Sequence, residues 1–389
     1  MKISDHLNKM KKDLFLKYDI MRKKLHLILS LLFLTFINLS EASAQDLRLS
    51  LLGNTIFYSF IGKSNITGFS IRNLMISGEF GREFFYAKGE IDINPYNISF
   101  FTEKIESDTS AVPEFLNSQI PQDQGIVRFR ETFVSTRGLP LIRITLGRIF
   151  GKIGESNSDS FWVRNFVERP FTIRKFFGYD GFLDEGLEFS FSPPLPWTLE
   201  IAGQILDGSE KPWNSKGALD LVGVIAIRNL FGDDRTNGGF GIFWAAGKND
   251  SSQRLSLKGT SVVSDNNSEF FGGDAFFNFN PFFSVRLGYI IQRASKPTIL
   301  DIEGGLFTEF SVRPVDFFKA NIRPEIFGIP RIREEGGIIN NLPQIFELSI
   351  AADFIPLYFT KIRIQWTGNF GEKRLPQNIF YLQGIFNID

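Results

Sequence analysis

Cysteine is absent from this chain of 389 residues and histidine occurs only twice, as His6 and His26. Without cysteine there is no disulfide framework and no thiol chemistry. Both histidines fall in an N-terminal segment expected to be removed on export, and a mature chain without either residue cannot build the usual zinc or haem sites or a nucleophile activated by histidine. Hydrolases that depend on a histidine base are disfavoured, all-carboxylate chemistry alone survives, and no cofactor or metal is expected. Beyond the first 44 residues no segment approaches about 18 consecutive apolar residues, which excludes transmembrane helices. Helical periodicity, low-complexity tracts, Pro-rich or Gly/Ser-rich hinges and repeats are missing too, so one domain is the simplest reading. Charge of one sign is not in excess: 43 basic residues balance 43 acidic ones. Removing residues 1–44 leaves 35 against 39, and nothing in that balance points to nucleic acid.

What the N-terminus does contain is an export signal. Met21-Arg22-Lys23-Lys24 is basic, Leu27 to Ile37 is apolar, and Ala42-Ser43-Ala44 is an A-x-A cleavage site, the three parts of a secretory signal peptide. The apolar core of 11 residues is too short to span a bilayer, which takes about 20. Residues 21–44 are the functional signal, and cleavage leaves Gln45 as the first mature residue. Residues 1–20 carry five lysines and no apolar run; they reflect a start placed too far upstream or an unusually long basic region, and they are set aside from the fold.

Residues 45–389 read as strand after strand. Alternation is clearest in Tyr358 to Trp366, where Tyr358, Thr360, Ile362, Ile364 and Trp366 face one way and Phe359, Lys361, Arg363 and Gln365 the other. Phe283 to Gln292 and Leu141 to Phe150 repeat the scheme, the latter setting Ile142, Ile144 and Leu146 against Arg143, Thr145 and Gly147. This period of two, with aromatics at the ends of the apolar face, suits a strand between lipid and a wet lumen, and such a barrel hides its membrane signal from hydropathy averages. A soluble, secreted β protein also alternates and is the alternative. Aromatic residues make up 15% of the chain, with 44 phenylalanines, in keeping with the aromatic girdles of membrane barrels.

Seventeen candidate strands can be marked: 47–60, 74–80, 83–93, 126–135, 141–150, 187–192, 198–205, 218–228, 239–246, 254–264, 269–279, 282–293, 302–312, 317–327, 345–354, 357–367 and 379–388. Even strand numbers are the rule for bacterial barrels, so the fold class is all-β, a transmembrane antiparallel β-barrel of 16 strands, with 18 the runner-up. Each strand with its connection then takes about 22 residues, enough for a tilted strand of about 9–11 plus a turn. Tight turns are expected at 193–196, 280–281, 314–316 and 355–356 and longer polar connections at 207–216, 232–238, 294–298, 328–342 and 368–377. Short turns would face the periplasm and long loops the outside. Phe380, Leu382, Gly384, Phe386 and Ile388 share a face of the last strand, like the closing strand by which the barrel-assembly machinery recognises its clients. In Val127, Phe129, Glu131 and Phe133 a carboxylate falls on an apolar face, and a β-bulge that turns it inward, or a place near an interface, would explain it.

The stretch 151–186 is too long for an ordinary connection and is expected to fold into the lumen as a constriction. Arg164, Arg169, Arg174 and Lys175 crowd its middle against Glu168, with Glu155 and Asp159 before them and Asp180, Asp184 and Glu185 after. Opposed charges at a constriction orient dipolar solutes, and a cation cluster attracts anions. The lumen wall adds Arg128, Arg130, Arg143, Arg286, Lys361 and Arg363. The competing reading is that these cations pair with carboxylates and only hold the loop against the wall.

Gly147-Arg148-Ile149-Phe150-Gly151, then Phe177-Gly178-Tyr179-Asp180-Gly181-Phe182, Gly186-Leu187-Glu188-Phe189-Ser190 and Pro193-Pro194-Leu195-Pro196-Trp197 resemble a group of bacterial outer-membrane porins that are distantly similar to the phosphate-selective porins. The likeness covers about 60 residues well and the other strands in style. It implies a 16-strand barrel in the outer membrane of a Gram-negative cell, a lumenal loop, passive diffusion of small hydrophilic solutes or ions, and the homotrimer usual among such porins. The group's loop often carries histidines after a Gly-x-x-Asn region; here Gly154-Glu155-Ser156-Asn157-Ser158-Asp159-Ser160 has none, so no metal role is implied. The phenylalanine doublets at 270–271, 276–277, 282–283 and 317–318 raise a channel for hydrophobic substrates, against the simpler reading of interface girdles with one ring pointing in. A 22-strand receptor with a plug would need a longer chain, whereas a non-conducting structural or adhesive barrel stays open.

Overall fold

The computed structural model describes residues 47–61, 66–82, 85–93, 99–102, 127–136, 139, 141–160, 162–177, 181–195, 197–208, 222–233, 235–248, 267–279, 282–296, 299–335, 337–371 and 378–388. Residues Met1–Leu47 and Arg48–Asp389 form separate units. The export signal and residues 1–20 lie outside the described residues, and the strands belong to the second unit.

In chain order they are β1 (Leu47–Ile61), β2 (Ile66–Arg82), β3 (Phe85–Ile93), β4 (Ser99–Thr102), β5 (Val127–Thr136), β6 (Ile142–Phe150), β7 (Leu183–Phe191), β8 (Thr198–Leu206) and β9 (Val222–Gly232). They continue as β10 (Thr236–Lys248), β11 (Asn267–Phe279), β12 (Phe283–Lys296), β13 (Ile299–Val315), β14 (Phe318–Glu335), β15 (Ile338–Asn341), β16 (Ile345–Leu357), β17 (Thr360–Phe370) and β18 (Asn378–Ile388). Staves adjacent in sequence pair with one another, and β18 returns to β1, with Leu51 opposite Ile388 and Ile61 opposite Asn378. The four-residue β4 and β15 only extend the ladder of β2 and of β14, because β3 pairs directly with β5 and β14 with β16. Sixteen staves therefore close an antiparallel barrel. Closure leaves no edge with unpaired amides, which lipid cannot tolerate.

The two faces divide as alternation predicts. Ile142, Ile144 and Leu146 point outward while Thr145 is buried inward; Ile362 and Ile364 are exposed while Lys361, Arg363 and Gln365 are buried inside the ring. Among the described residues the turns 316–317 and 358–359 join staves at one end, and the connection 151–182 lies at the other.

Six sequence expectations need adjusting. The longer polar connections expected at 294–298 and 328–342 are largely strand, since β12 runs to Lys296 and β13 begins at Ile299, and β14 runs to Glu335 with β15 following at Ile338. The candidate strand 254–264 lies outside the described residues, and Lys248 stands opposite Asn267, so β10 and β11 are neighbours and the ring is complete without it. The strand expected to begin at Leu74 starts at Ile66, where Gly68 and Asn73 weaken the pattern. The loop is shorter than 151–186, because Leu183 to Gly186 already pair with Phe150 to Gly147. The segment 232–238 is a tight turn at the short end: Asp233 Oδ1 accepts the amides of Arg235 at 2.9 Å and Thr236 at 2.8 Å, and Gly232 supplies the positive φ of 102°. Those two amide donors hold the Asp233 carboxyl below the usual range.

Glu131 sits at a bulge. Gly89 pairs with Thr132 and Ile91 with Phe129, so Arg130 and Glu131 together oppose Glu90, and the register shifts there. Two consecutive side chains of β5 then point inward, and parity reverses beyond them: Phe129 and Val134 are exposed, whereas Arg130 and Ser135 are buried. Phe133, placed on the apolar outer face from sequence, consequently turns inward, where its ring lies 5.8 Å from that of Tyr86.

Candidate functional site

The connection between β6 and β7 folds into the barrel. Its neck is closed by one buried asparagine. Asn157 Nδ2 donates to Gly151 O at 2.8 Å and Phe182 O at 3.0 Å, and its Oδ1 accepts the Phe182 amide at 2.7 Å. The Gly151 amide adds a 3.0 Å bond to Phe182 O. Gly181, at φ 78°, has to be glycine: a Cβ would stand 2.4 Å from Asn157 Oδ1. Two short helices lie beyond the neck, α1 (Glu155–Ser158) and α2 (Phe171–Phe177).

From the neck the loop crosses the lumen. Its first limb, residues 151–160, meets β9, β11 and β12: Glu155 pairs with Arg228, the Glu155 amide donates to Asp274 at 3.1 Å, and Arg286 holds Asp159 and Ser156 Oγ. The second limb reaches β14, β17 and β18. Lys361 donates to Trp162 O, Arg363 to Arg164 O at 2.5 Å, Gln365 Oε1 accepts the Val167 amide at 2.7 Å, and Tyr381 donates to Glu168 at 2.9 Å. Lys361 also lies 4.9 Å above the Trp162 ring and Arg323 4.4 Å above Phe166.

Helix α2 then returns over β11–β14. Phe176 and Phe177 pack on Phe270 with ring centroids 5.6 and 4.9 Å apart, and Phe171 meets Phe327 edge-on at 5.5 Å. These rings join Ile149, Ile173, Phe182, Ile290, Phe307 and Ile345 in an apolar cluster inside the ring. Of the doublet at 270–271, Phe270 is the inward ring beneath α2 and Phe271 the outward one. The inward half of that doublet is the seat of the loop helix.

The loop cations depart from the sequence expectation of a pore-lining cluster. Arg169 is fully buried and donates to Ser156 O. Arg174 bridges Glu168 and Glu347 at 2.8 Å each, almost out of contact with water. Arg164 is half-buried, and Lys175 alone of the four is exposed. Asp159 is tied to Arg286 and Glu155 to Arg228. On the wall, Arg363 pairs with Asp353 at 2.6 Å, Arg130 reaches Met75 Sδ at 3.1 Å, and Arg128 stands opposite Asp92 in the β3–β5 ladder. Asp180 lies outside the described residues; Asp184 and Glu185 are on β7, Glu185 opposite Arg148. Most of these groups secure the loop. Their partners Glu347 and Asp353, and Glu325, which accepts the Phe171 amide at 2.6 Å, were missed from sequence, although Glu347, Ser349, Ala351 and Asp353 alternate along one face of β16.

Beside the first limb the lumen holds a cavity of about 320 Å3. It is bounded by β3, β5–β11 and residues 151–158 of the loop, and Arg143, Lys152, Glu131, Glu188, Glu200, Arg228 and Asp274 all reach it. Arg143 and Lys152 share Glu200, each at 3.0 Å, and Gln204 donates to Glu188 at 2.8 Å. The Lys88 ammonium, held by Glu131 at 2.7 Å and Glu90 at 2.8 Å, lies behind the bulge. Among the described residues no group of three or more carboxylate, cysteine or histidine side chains could hold a metal ion.

No family model matches the chain. A curated relative, an uncharacterized protein of Aquifex aeolicus (strain VF5), is 26% identical over 97 residues, a match spanning 25% of this chain and 20% of that protein. Solved structures are similar in fold over 88% of the chain. OprB of Pseudomonas putida matches with a TM-score of 0.61 at 8% identity over 94% of its own length, and the outer membrane channel DcaP of Acinetobacter baumannii with 0.58 at 8% over 97%. An anion-selective porin from Comamonas acidovorans matches with 0.54 at 11% over 99%. The chain thus has a porin-like barrel.

Proposed function

We propose that this protein is an outer-membrane porin through which small hydrophilic solutes diffuse passively. The observation that carries the reading is the charged cavity left inside a closed 16-strand ring beside a loop folded into its lumen. A barrel built only as a structural or adhesive element has no need to keep charged side chains around an internal space, since each must be paired or hydrated at a cost. The likeness of fold to porins supports the same conclusion, and with it placement in the outer membrane after export through residues 21–44, insertion by the barrel-assembly machinery and a role without catalysis. Assembly as a homotrimer is proposed by analogy with OmpT of Vibrio cholerae, whose structure is of a trimer form and matches with a TM-score of 0.56 at 8% identity.

Two finer readings gain less support. Anion preference rested on Arg164, Arg169, Arg174 and Lys175, and the burial of Arg169 and Arg174 in hydrogen bonds and ion pairs leaves mainly Lys175 to sustain it. A hydrophobic-substrate route rested on the phenylalanine doublets, and Phe270 is occupied by α2. Protein extracted from the outer membrane of an expressing bacterium and reconstituted in a planar bilayer should give discrete conductance steps in potassium chloride. Inserted, folded protein that passes no current would overturn the porin reading.

A further inference from the structure

The loop does not divide the lumen evenly. On the side of β13–β18 it is sealed to the wall: Val167, Glu168, Phe171 and Arg174 are each bonded to a wall side chain at 2.6–2.9 Å, and Ser349 on that wall is fully buried. On the side of β5–β11 the loop touches the wall at Lys152 and Glu155, through Gln204, Glu200, Arg228 and Asp274, and the cavity opens around those contacts. Resting on the porin reading, we infer that the conducting path runs along the β5–β11 side, between that wall and residues 150–158, and that it prefers cations and amine-bearing solutes to anions.

The charge argument is a census of that path. Five carboxylates line it: Glu131, Glu155, Glu188, Glu200 and Asp274. Three cations oppose them: Arg143, Lys152 and Arg228. Charges just behind the lining do not reverse the excess, because Lys88 is shared between Glu131 and Glu90, and Arg286 behind Asp274 is held by Asp159. Two features bring the acids to this side. The bulge on β5 turns Glu131 inward, and Glu188 and Glu200 share Arg143 and Lys152 between them, at 3.0 Å to Glu200 and 3.4 and 3.8 Å to Glu188, which leaves Glu131, Glu155 and Asp274 against Arg228 alone among the lining charges. A narrow path with low-dielectric walls concentrates the counter-charge of its lining.

The chain has no cysteine, so single thiols can be introduced on a clean background. Ser158 and Ala226 line the cavity, whereas Ser349 is buried in the β16–β17 seam, bonded to Thr367 at 2.9 Å. In the full-length protein, Ser158→Cys and Ala226→Cys channels should lose most of their single-channel conductance on adding a methanethiosulfonate reagent, with the ammonium form reacting faster than the sulfonate form. Ser349→Cys should remain unmodified, and the unsubstituted protein should show a reversal potential of cation-preferring sign under a salt gradient. Modification of Ser158→Cys and Ala226→Cys, verified by mass, that leaves conductance intact overturns the path. A reversal potential of the opposite sign, or faster sulfonate reaction, overturns the charge preference. A silent unsubstituted channel would instead strike at the porin reading itself. Ser158→Cys exchanges only oxygen for sulfur on an exposed side chain, so it keeps the test decisive should Ala226→Cys fail to fold.

Discussion

Removing the Asn157 side chain should loosen the loop without unfolding the barrel. In Asn157→Ala three hydrogen bonds disappear, those to Gly151 O, Phe182 O and the Phe182 amide. The carbonyls are not stranded, since Gly151 O still accepts the Ile153 amide at 2.8 Å and Phe182 O the Gly151 amide at 3.0 Å. The Phe182 amide loses its acceptor inside the fold, a cost of about 1–3 kcal/mol, to which two lost bonds add about 1 kcal/mol together when carbonyl rehydration is allowed for. The sum, about 2–4 kcal/mol, falls on local opening of residues 151–182, because the staves close by their own ladder. Opening should therefore become about 30- to 700-fold more frequent, and tryptic cleavage after Lys152, Arg164 or Lys175 should accelerate by a similar factor where cleavage tracks the open population. The assay is timed proteolysis of the folded barrel. Cleavage at the unsubstituted rate, with the barrel intact, would refute the idea that this asparagine holds the neck shut.

Other substitutions test the remaining contacts. Gly147→Ala should destabilise the barrel by about 2–5 kcal/mol in denaturant unfolding, because φ there is 139° and a Cβ would lie 2.3 Å from Thr132 O and 2.7 Å from Phe133 Cα, both backbone. Arg174→Ala strips Glu168 and Glu347 of a shared partner and should cost about 3–5 kcal/mol, part of it recovered when Glu347→Gln is added, as a double-mutant cycle would read. Asp233, with its carboxyl held low by two amides, should help order its turn fully above about pH 4, the unfolded value, and lose that help as pH falls through its lower folded value. A titration followed by amide shifts of Arg235 and Thr236 would show no acid transition in Asp233→Ala.

The parts of this fold legible in sequence are those where a side chain has only two choices. A stave between lipid and water must alternate, so Ile142, Ile144, Ile362 and Ile364 announced the outer face and Arg143, Lys361 and Arg363 the inner one. Glu131 announced the bulge for the same reason, because a carboxylate on the lipid side is costly enough to bend the ladder. What alternation could not say is which inward charge meets which. Arg174 and Glu347 lie 173 residues apart in sequence, and only the return of α2 across the lumen brings them together. The four loop cations read alike from spacing, yet the neighbours Arg174 and Lys175 part, the side chain of one buried and the other exposed, a difference set by the turn of a seven-residue helix. The doublet Phe270-Phe271 likewise announces one ring in and one out, but not that the inward ring is a seat for α2.

The loop is held by two kinds of contact with separate effects. The buried rings and isoleucine of α2, together with Phe182, take apolar area out of water worth on the order of 10 kcal/mol, but such packing is not directional and would accept several positions of the helix against Phe270, Phe307 and Phe327. The buried ion pairs return little net energy, since desolvation consumes most of the attraction. Their demand is geometric: Arg174 between Glu168 and Glu347, and Arg323 donating to Glu168 O at 2.9 Å, can be satisfied in one position of the loop. Any slip strands a charge in a dry place at a cost of several kcal/mol. Apolar packing thus keeps the loop inside, and the buried pairs of its second limb and α2 hold that half against β14 and β16 while its first limb reaches β8, β9 and β12 through Lys152, Glu155 and Asp159, so the space left over lies around that first limb, along β5–β11.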